Sequence, residues 1–305
     1  MIYDSIILGS GPAGLTAAIY ASRKKMSAVI LTKQVGGECL MALSIENFPG
    51  FLKISGADLI SKIKEQVDKY GTPIKDGLTI GSIEKKNANF LVKTAEGENF
   101  EAKTVIVALG RMPKKLEVAG AKEFEGRGLS FCTICDAPVF AGKDVAIVGG
   151  GNAGLRSAED LLSYAKNIYV LQHRSKFIGD ELTIERLKKT GKVAFLTNAE
   201  TREIRGKKFV ESLVYEDLAT GEKKELKVDG VFVNIGWISN TAFLKGFLNL
   251  NEKEEITIDP LTNETSVKGI FAAGDVSNTL YKQCVLAAAE GAKAALSAHE
   301  YLLLL

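Results

Sequence analysis

The sequence predicts an α/β protein made of two Rossmann-like, three-layer ββα nucleotide-binding domains, the second inserted into the first. Three observations predict it. The apolar run Ile6-Ile7-Leu8 enters Gly9-x-Gly11-x-x-Gly14 and then an alanine-rich helical stretch. The same order of strand, glycine turn and helix recurs at "DVAIVGGGNAG", with Gly149, Gly151 and Gly154 in the corresponding places. The short apolar strand "GIFAAGDV", which suits the first domain, comes only after the second unit. One glycine turn alone is weak; two, each between a buried strand and a helix, argue for two dinucleotide folds.

Taken in order, the first strand leads to a helix reaching about residue 22 and to a second strand at 28–32, a βαβ unit. "SIEKKNANFLVKTAEGENFEAKTVIVALG" alternates polar and apolar residues about a glycine turn, then becomes wholly apolar at 105–108: hairpin strands feeding a buried strand. Residues 199–227 read similarly. A long alanine-rich helix is expected over about 282–302, and the closing "YLLLL" as its buried end. The crossings fall near Pro113 and near Phe243 and Leu244. The first domain is therefore 1–113 with 245–305, and the inserted domain 114–244.

Composition excludes several functions. With 39 Lys and Arg against 37 Asp and Glu, no basic face for nucleic acid is expected. No apolar run reaches the ~20 residues that a membrane helix needs. The opening residues read as a strand entering a turn rather than as a signal peptide. Four cysteines in 305 residues are too few for a disulfide scaffold, so a reducing cytoplasm is expected.

The first turn has a clear physical use. Gly11 lets backbone approach a pyrophosphate, Gly14 lets helix pack on strand, and Pro12 fits a first helical turn. The second strand ends in Thr32-Lys33-Gln34, without the acidic residue that often holds a ribose. Cys132 and Cys135 form a CxxC followed by Asp136. A zinc site would need two more ligands, and the sequence offers no partner at metal spacing, so no metal is expected. Inert core thiols are possible, but the adjacent carboxylate and short loop argue for a redox pair. Cys39 and Cys284 read as small buried hydrophobes, and His299 and Trp237 as packing residues.

"GSGPAG", "IENFPGF", "CTICDA", "GGGNAG" and "GIFAAGDVSNTLYKQ" occur in the order found in low-molecular-weight thioredoxin reductases, and the chain resembles that family over nearly its whole length. The resemblance implies FAD held by Gly9, Ser10, Gly11, Pro12, Ala13 and Gly14, with Gly36, Gly37, Glu38 and Asn47 lining the flavin. The family usually has Gln at the place of Glu38. Gly274 and Asp275 would bind the ribityl chain, and Lys282 and Gln283 would lie near the isoalloxazine. Cys135 would face the flavin, Cys132 would attack the disulfide of thioredoxin or a thioredoxin-like protein, and Asp136 would be the acid/base. A homodimer is also implied.

The second site departs from the family. Its nucleotide would be held by Gly149, Gly151, Asn152, Ala153, Gly154, His173 and Arg174, but Asn152-Ala153-Gly154 replaces Asp-Ser-Ala. Arg156 and Ser157 stand where glutamates are usual. In "QHRSKFIGDE" the clamp for the 2′-phosphate of NADPH is depleted: Ser175 replaces one arginine, Ile178 or Gly179 another, and the run looks one residue short. NADH would lack an acidic partner, Gln172 being the nearest polar residue. NADPH could bind weakly through Arg174 and Lys176. The remaining reading is another donor, such as ferredoxin or a reduced deazaflavin, and a dithiol oxidase is the alternative reaction.

Overall fold

The structure, a computed structural model, describes residues 1–42 and 45–305. Two compact units emerge: Met1–Met41, Asn47–Met112 and Ile238–Leu305 form the first, and Ala42–Glu46 with Pro113–Trp237 the second.

The first unit begins with β1 (Ile2–Leu8), α1 (Pro12–Arg23), β2 (Ala28–Leu31), α2 (Gly56–Tyr70), β3 (Ile74–Lys75), β4 (Ile80–Lys86), β5 (Asn89–Thr94), β6 (Asn99–Val107) and β7 (Arg111–Pro113). The sheet runs β3-β2-β1-β6-β5-β4. β3, β2, β1 and β6 are parallel, whereas β4, β5 and β6 form the antiparallel hairpins. Every residue of β2 is buried, as a parallel strand covered on both faces requires. β5 alternates instead, with one face toward the core. α2 starts where Ser55 Oγ accepts the Asp58 N–H at 3.1 Å and stops at Gly71, φ 75°.

The second unit carries β8 (Leu129–Ser130), α3 (Thr133–Asp136), β9 (Asp144–Val148), α4 (Asn152–Leu161), β10 (Asn167–Leu171), α5 (Glu181–Lys189), β11 (Val193–Leu196), β12 (Ala199–Gly206), β13 (Val210–Asp217), β14 (Glu222–Lys227) and β15 (Gly230–Val233). β11-β10-β9-β15-β8 is a parallel sheet, and β12-β13-β14 an antiparallel meander. The period of two in the strands sorts the core. Val145, Ile147, Ile168 and Val170 pack with Leu155, Ala158 and Leu161 of α4. Ala146, Val148, Leu171 and Val231 pack with Ile204 and Leu213 of the meander.

The chain returns through β16 (Trp237–Ser239), which pairs with β7. The first unit is completed by β17 (Ile270–Ala272), parallel to β6, and α6 (Cys284–Leu303). The return lies earlier than the sequence suggests: residues 238–244 belong to the first unit because Leu244, fully buried, packs with Leu8, Val107 and Ile270. α1 and α6 cross at closest approach through Gly291, where a Cβ would lie 2.0 Å from Ala13 O. The end of α6 differs from expectation. Its buried face stops at Ala298, and Leu303, Leu304 and Leu305 are 72%, 86% and 69% exposed, beyond the last turn that packs on the sheet.

Candidate functional sites in the two units

In the first unit the turn after β1 is shaped by close approach. A Cβ on Gly9, φ 98°, would meet Ala108 O at 2.4 Å, and one on Gly14 would meet Gly9 O at 1.9 Å. Those two glycines let α1 start directly against the sheet. Gly11 is different: the nearest atom to its Cβ would be Gly36 O at 3.9 Å. Gly37 in turn faces Gly11 Cα at 3.7 Å. The predicted turns thus oppose one another across a gap that glycines leave open. Gly11 is the N-cap of α1 and no side chain caps the helix, so its first N–H groups and positive dipole end are available to a phosphate. This cradle fits the pyrophosphate of FAD. The missing ribose acid at the end of β2 also has an explanation. Ser10 Oγ donates to Thr32 Oγ1 at 2.8 Å, and Thr32 donates to Gln34 O at 3.0 Å, so this strand end is tied into the turn itself.

The turn after β17 closes on the same place. Gly274, φ 76°, would set a Cβ 3.0 Å from Ala13 Cβ, so Asp275 is delivered beside the start of α1. Glu290 of α6 fixes this turn, accepting the Gly274 N–H at 2.7 Å and the Ser277 hydroxyl at 3.3 Å. Burial pushes the Asp275 carboxyl above the usual carboxylate range, with Arg111, 3.5 Å away, and Lys282 opposing the shift. Lys282 is held by Glu255 at 3.3 Å and by Ser277 O, and Asn47 Nδ2 donates to Gln283 Oε1 at 3.1 Å. Arg111, Glu255 and Glu290 were not anticipated. A lone acidic residue in "LAAAEGAKAAL" was the one signal for Glu290.

Cys39 is buried, as the sequence suggests, whereas Cys284 departs from that reading. The turn Gly37–Met41 and the first residue of α6 bring their sulfurs to 3.4 Å, and Cys284 is only half-buried.

In the second unit, Cys132 and Cys135 are joined as a disulfide with Cα atoms 5.3 Å apart. The pair bounds the short helix α3, whose N-cap is Cys132, and the Cys135 N–H donates to Cys132 Sγ at 3.3 Å. Asp136 is buried beside it, accepting from Ser130 Oγ at 2.5 Å, and Ser130 Oγ also accepts the Cys132 N–H at 3.1 Å. Thr133 anchors α3 to α4: its hydroxyl lies 3.0 Å from Ser157 Oγ and donates to Asp160 at 3.2 Å. Ser157 donates on to Asn234 Oδ1 at 3.1 Å. The position where a glutamate was expected therefore holds a hydroxyl bridge to the cysteine helix. Burial raises the Asp160 pKa, with the Thr133 hydrogen bond opposing and Glu159 adding to the rise. Among the described residues no cluster of His, Cys, Asp or Glu could hold a metal.

The second glycine turn repeats the packing of the first but not its opening. Gly149, φ 125°, sits against Asn234 O, and a Cβ on Gly154 would lie 1.9 Å from Gly149 O. Over the start of α4, however, lies the segment from Phe177 to Asp180. The Ile178 N–H donates to Gly150 O at 3.2 Å, and the Asp180 N–H to Asn152 Oδ1 at 2.8 Å. A Cβ on Gly150 would meet the Phe177 ring at 2.6 Å, and one on Gly151 would meet Ile178 Cδ1 at 3.8 Å. His173, Arg174 and Lys176 are exposed, while Gln172 is buried with its Oε1 accepting the Arg174 N–H at 3.4 Å. The residues around this turn do not present the open cradle of the first unit. Phe177 gave no sequence signal beyond the shortness of its run.

A family model described as pyridine nucleotide-disulphide oxidoreductase matches residues 3–291. A component of alkyl hydroperoxide reductase, from Staphylococcus aureus, is 38% identical over 301 residues, 99% of this chain and 59% of that protein. The chain thus spans about three-fifths of the length of the curated relatives it matches. Among solved structures, a thioredoxin reductase from Streptococcus pyogenes is similar with TM-score 0.93 and 32% identity, covering 100% of this chain and 99% of that one. A thioredoxin reductase from Giardia duodenalis gives TM-score 0.90 and 32% identity, covering 99% of each chain. The thioredoxin reductase of T. acidophilum is 36% identical with TM-score 0.68, covering 99% of each. Members of this family use FAD and pyridine nucleotides. A match that takes in both glycine turns and the bonded cysteine pair shows that the chain belongs to the pyridine nucleotide-disulphide oxidoreductase family.

Proposed function

We propose that this protein reduces the disulfide of thioredoxin or a thioredoxin-like protein, acting through Cys132 and Cys135. The observation that carries the reading is the bonded CxxC on α3 with Asp136 buried beside it. FAD would be held by Gly9 to Gly14, Gly36, Gly37, Glu38, Asn47, Gly274, Asp275, Lys282 and Gln283. When bound it supplies the electron pair that opens the disulfide.

The rest of the work falls to the chain. Once reduced, Cys132 is the better thiolate, because it caps α3 and its sulfur already accepts the Cys135 N–H. It attacks the partner's disulfide, forming a mixed disulfide and releasing one partner thiolate. Cys135 then attacks Cys132 Sγ, which restores the intramolecular bond and frees the second partner thiol. Asp136 takes the Cys135 proton and passes it to the departing thiolate, and the partner thiolate released first takes a proton from water, so two protons and two electrons end on the partner. Ser130 holds Asp136 in place for this.

A second observation bears on the donor. Phe177 to Asp180 lie over the start of α4, and the arginine clamp is depleted. These favour a reduced protein or flavin carrier, such as ferredoxin or a reduced deazaflavin, over NADPH or NADH. A cytoplasmic homodimer is part of the same proposal. No helix among the described residues is long and apolar enough to cross a membrane.

The test is Cys135→Ser in the flavin-loaded protein with thioredoxin as substrate. Disulfide reduction should fall to background while the flavin stays bound. Unchanged reduction would refute the assignment. Rapid oxygen uptake with a dithiol substrate and no reductase activity would instead favour the oxidase.

A further inference from the structure

We propose that Cys39 and Cys284 form a second redox-active dithiol, a modification site in the first unit that closes to a disulfide by exchange with the disulfide of a low-molecular-weight thiol. It concerns neither the electron donor nor the protein partner proposed above.

The geometry comes first. The sulfurs lie 3.4 Å apart, although the residues are separated by 245 positions. A disulfide needs about 2.05 Å, so closure asks for an approach of about 1.4 Å. One sulfur sits in the turn Gly37–Met41 and the other on the first residue of α6. Gln283, the residue before Cys284, is held by the Asn47 amide at 3.1 Å. The fold of the first unit thus brings the two thiols within reach of each other.

The pair is also asymmetric in the way that exchange needs. Cys39 is 7% exposed, and its contact with Cys284, together with burial, raises its pKa. Cys284 is half-buried, and the Cys39 thiol beside it lowers its pKa against burial and the charge of Asp275. It also stands at the start of a 20-residue helix that no side chain caps, where the dipole favours a thiolate. Cys284 is thus the attacking group and Cys39 the resolving one.

The steps balance. Cys284 thiolate attacks one sulfur of the small disulfide, giving a mixed disulfide and one small thiolate, which takes a proton from water. Cys39, deprotonated as it attacks, displaces the second small thiol and bonds to Cys284 Sγ. Two protein thiols are oxidised and one small disulfide is reduced to two thiols. The new bond would cross-link the segments on which Glu38 and Gln283 stand.

The experiment uses flavin-loaded Cys132→Ser/Cys135→Ser protein, reduced and desalted, titrated with oxidised glutathione. Free thiols are then alkylated in denaturant and peptides mapped by mass spectrometry. The free-thiol count should fall from two to zero, with one peptide linking Cys39 to Cys284. Adding Cys39→Ser should halt the reaction at a single glutathione adduct on Cys284. Both thiols remaining free at excess oxidised glutathione, or Cys39 reacting first, overturns the proposal. Should the double variant fold poorly, the unaltered protein serves: its map must contain the Cys39–Cys284 link beside Cys132–Cys135, and its absence has the same force.

Discussion

The sharpest prediction concerns NADPH. For a pyrophosphate to reach the start of α4, residues 177–180 must leave. That breaks the Ile178 hydrogen bond to Gly150 and the Asp180 hydrogen bond to Asn152, about 1 kcal/mol each. It also separates Phe177 from Phe195, whose rings meet edge to face at 5.0 Å, a contact worth about 1 kcal/mol. Displaced but still tethered at both ends, the segment regains about one residue's worth of backbone freedom, about 1 kcal/mol, leaving a net cost near 2 kcal/mol. A site open so rarely binds ~30-fold more weakly. The lost bidentate contact to the 2′-phosphate adds about 2 kcal/mol. Together about 4 kcal/mol is roughly a thousandfold, which turns a micromolar site into a millimolar one. Calorimetric titration of the flavin-loaded protein should therefore detect no NADPH binding at tens of micromolar. The double change Phe177→Ala, Ile178→Gly should recover on the order of tenfold, for NADPH and NADH alike. Tight stoichiometric binding by the unaltered protein, or no gain in the double variant, would refute the reasoning.

Two further predictions test the supports of each site. Glu290→Ala strands the Gly274 N–H inside the first unit, while the Ser277 hydroxyl keeps its hydrogen bond to Gly274 O at 2.8 Å, costing about 2 kcal/mol. It should lower the melting temperature and shed FAD on dialysis, whereas Glu290→Gln keeps an acceptor and most of both; differential scanning fluorimetry with the flavin absorbance ratio checks this. Asp160→Asn should stabilise the protein at pH 7 and do little near pH 3. Because burial raises the folded pKa, the favourable contribution of the protonated carboxyl is full below the unfolded carboxylate range and is lost as pH rises through the raised pKa. Paired melting curves at the two pH values decide it, and equal shifts at both would count against the buried-carboxyl reading.

Much of this architecture is legible in the sequence because periodicity and glycine placement are local signals. Ile6-Ile7-Leu8 before Gly9 can only be a strand covered on both faces, and Gly14 and Gly154 stand where any side chain would strike a carbonyl 1.9 Å away. CxxC followed by Asp is equally local, and the structure joins the pair. What escapes the sequence is long-range. Glu290 reaches Gly274, Thr133 reaches Ser157, and Cys39 meets Cys284 only because the chain folds, and no spacing announces them. The exposed leucines at the end of α6 escaped for the opposite reason: an apolar run reads as buried, but the packed surface ends before them.

The two glycine turns show why a motif and a binding site must be argued separately. In both, the first glycine takes a positive φ against a neighbouring strand, and the last removes a Cβ that would strike the first glycine's carbonyl. That geometry is needed to start a helix against a sheet whether or not a nucleotide is bound, so the pattern survives on packing alone. The turns part at the middle glycine, the one that would approach a pyrophosphate. Gly11 looks across a gap at Gly36 and Gly37; Gly151 looks at Ile178. The cause lies downstream, in the short run from the end of β10 to the Asp180 cap of α5, whose Oδ2 accepts the Thr183 N–H at 2.8 Å. A run that short, pinned by that cap, is drawn across the start of α4. The proposal for the electron donor thus turns on a few residues after the second strand of the inserted unit, outside the glycine motif itself.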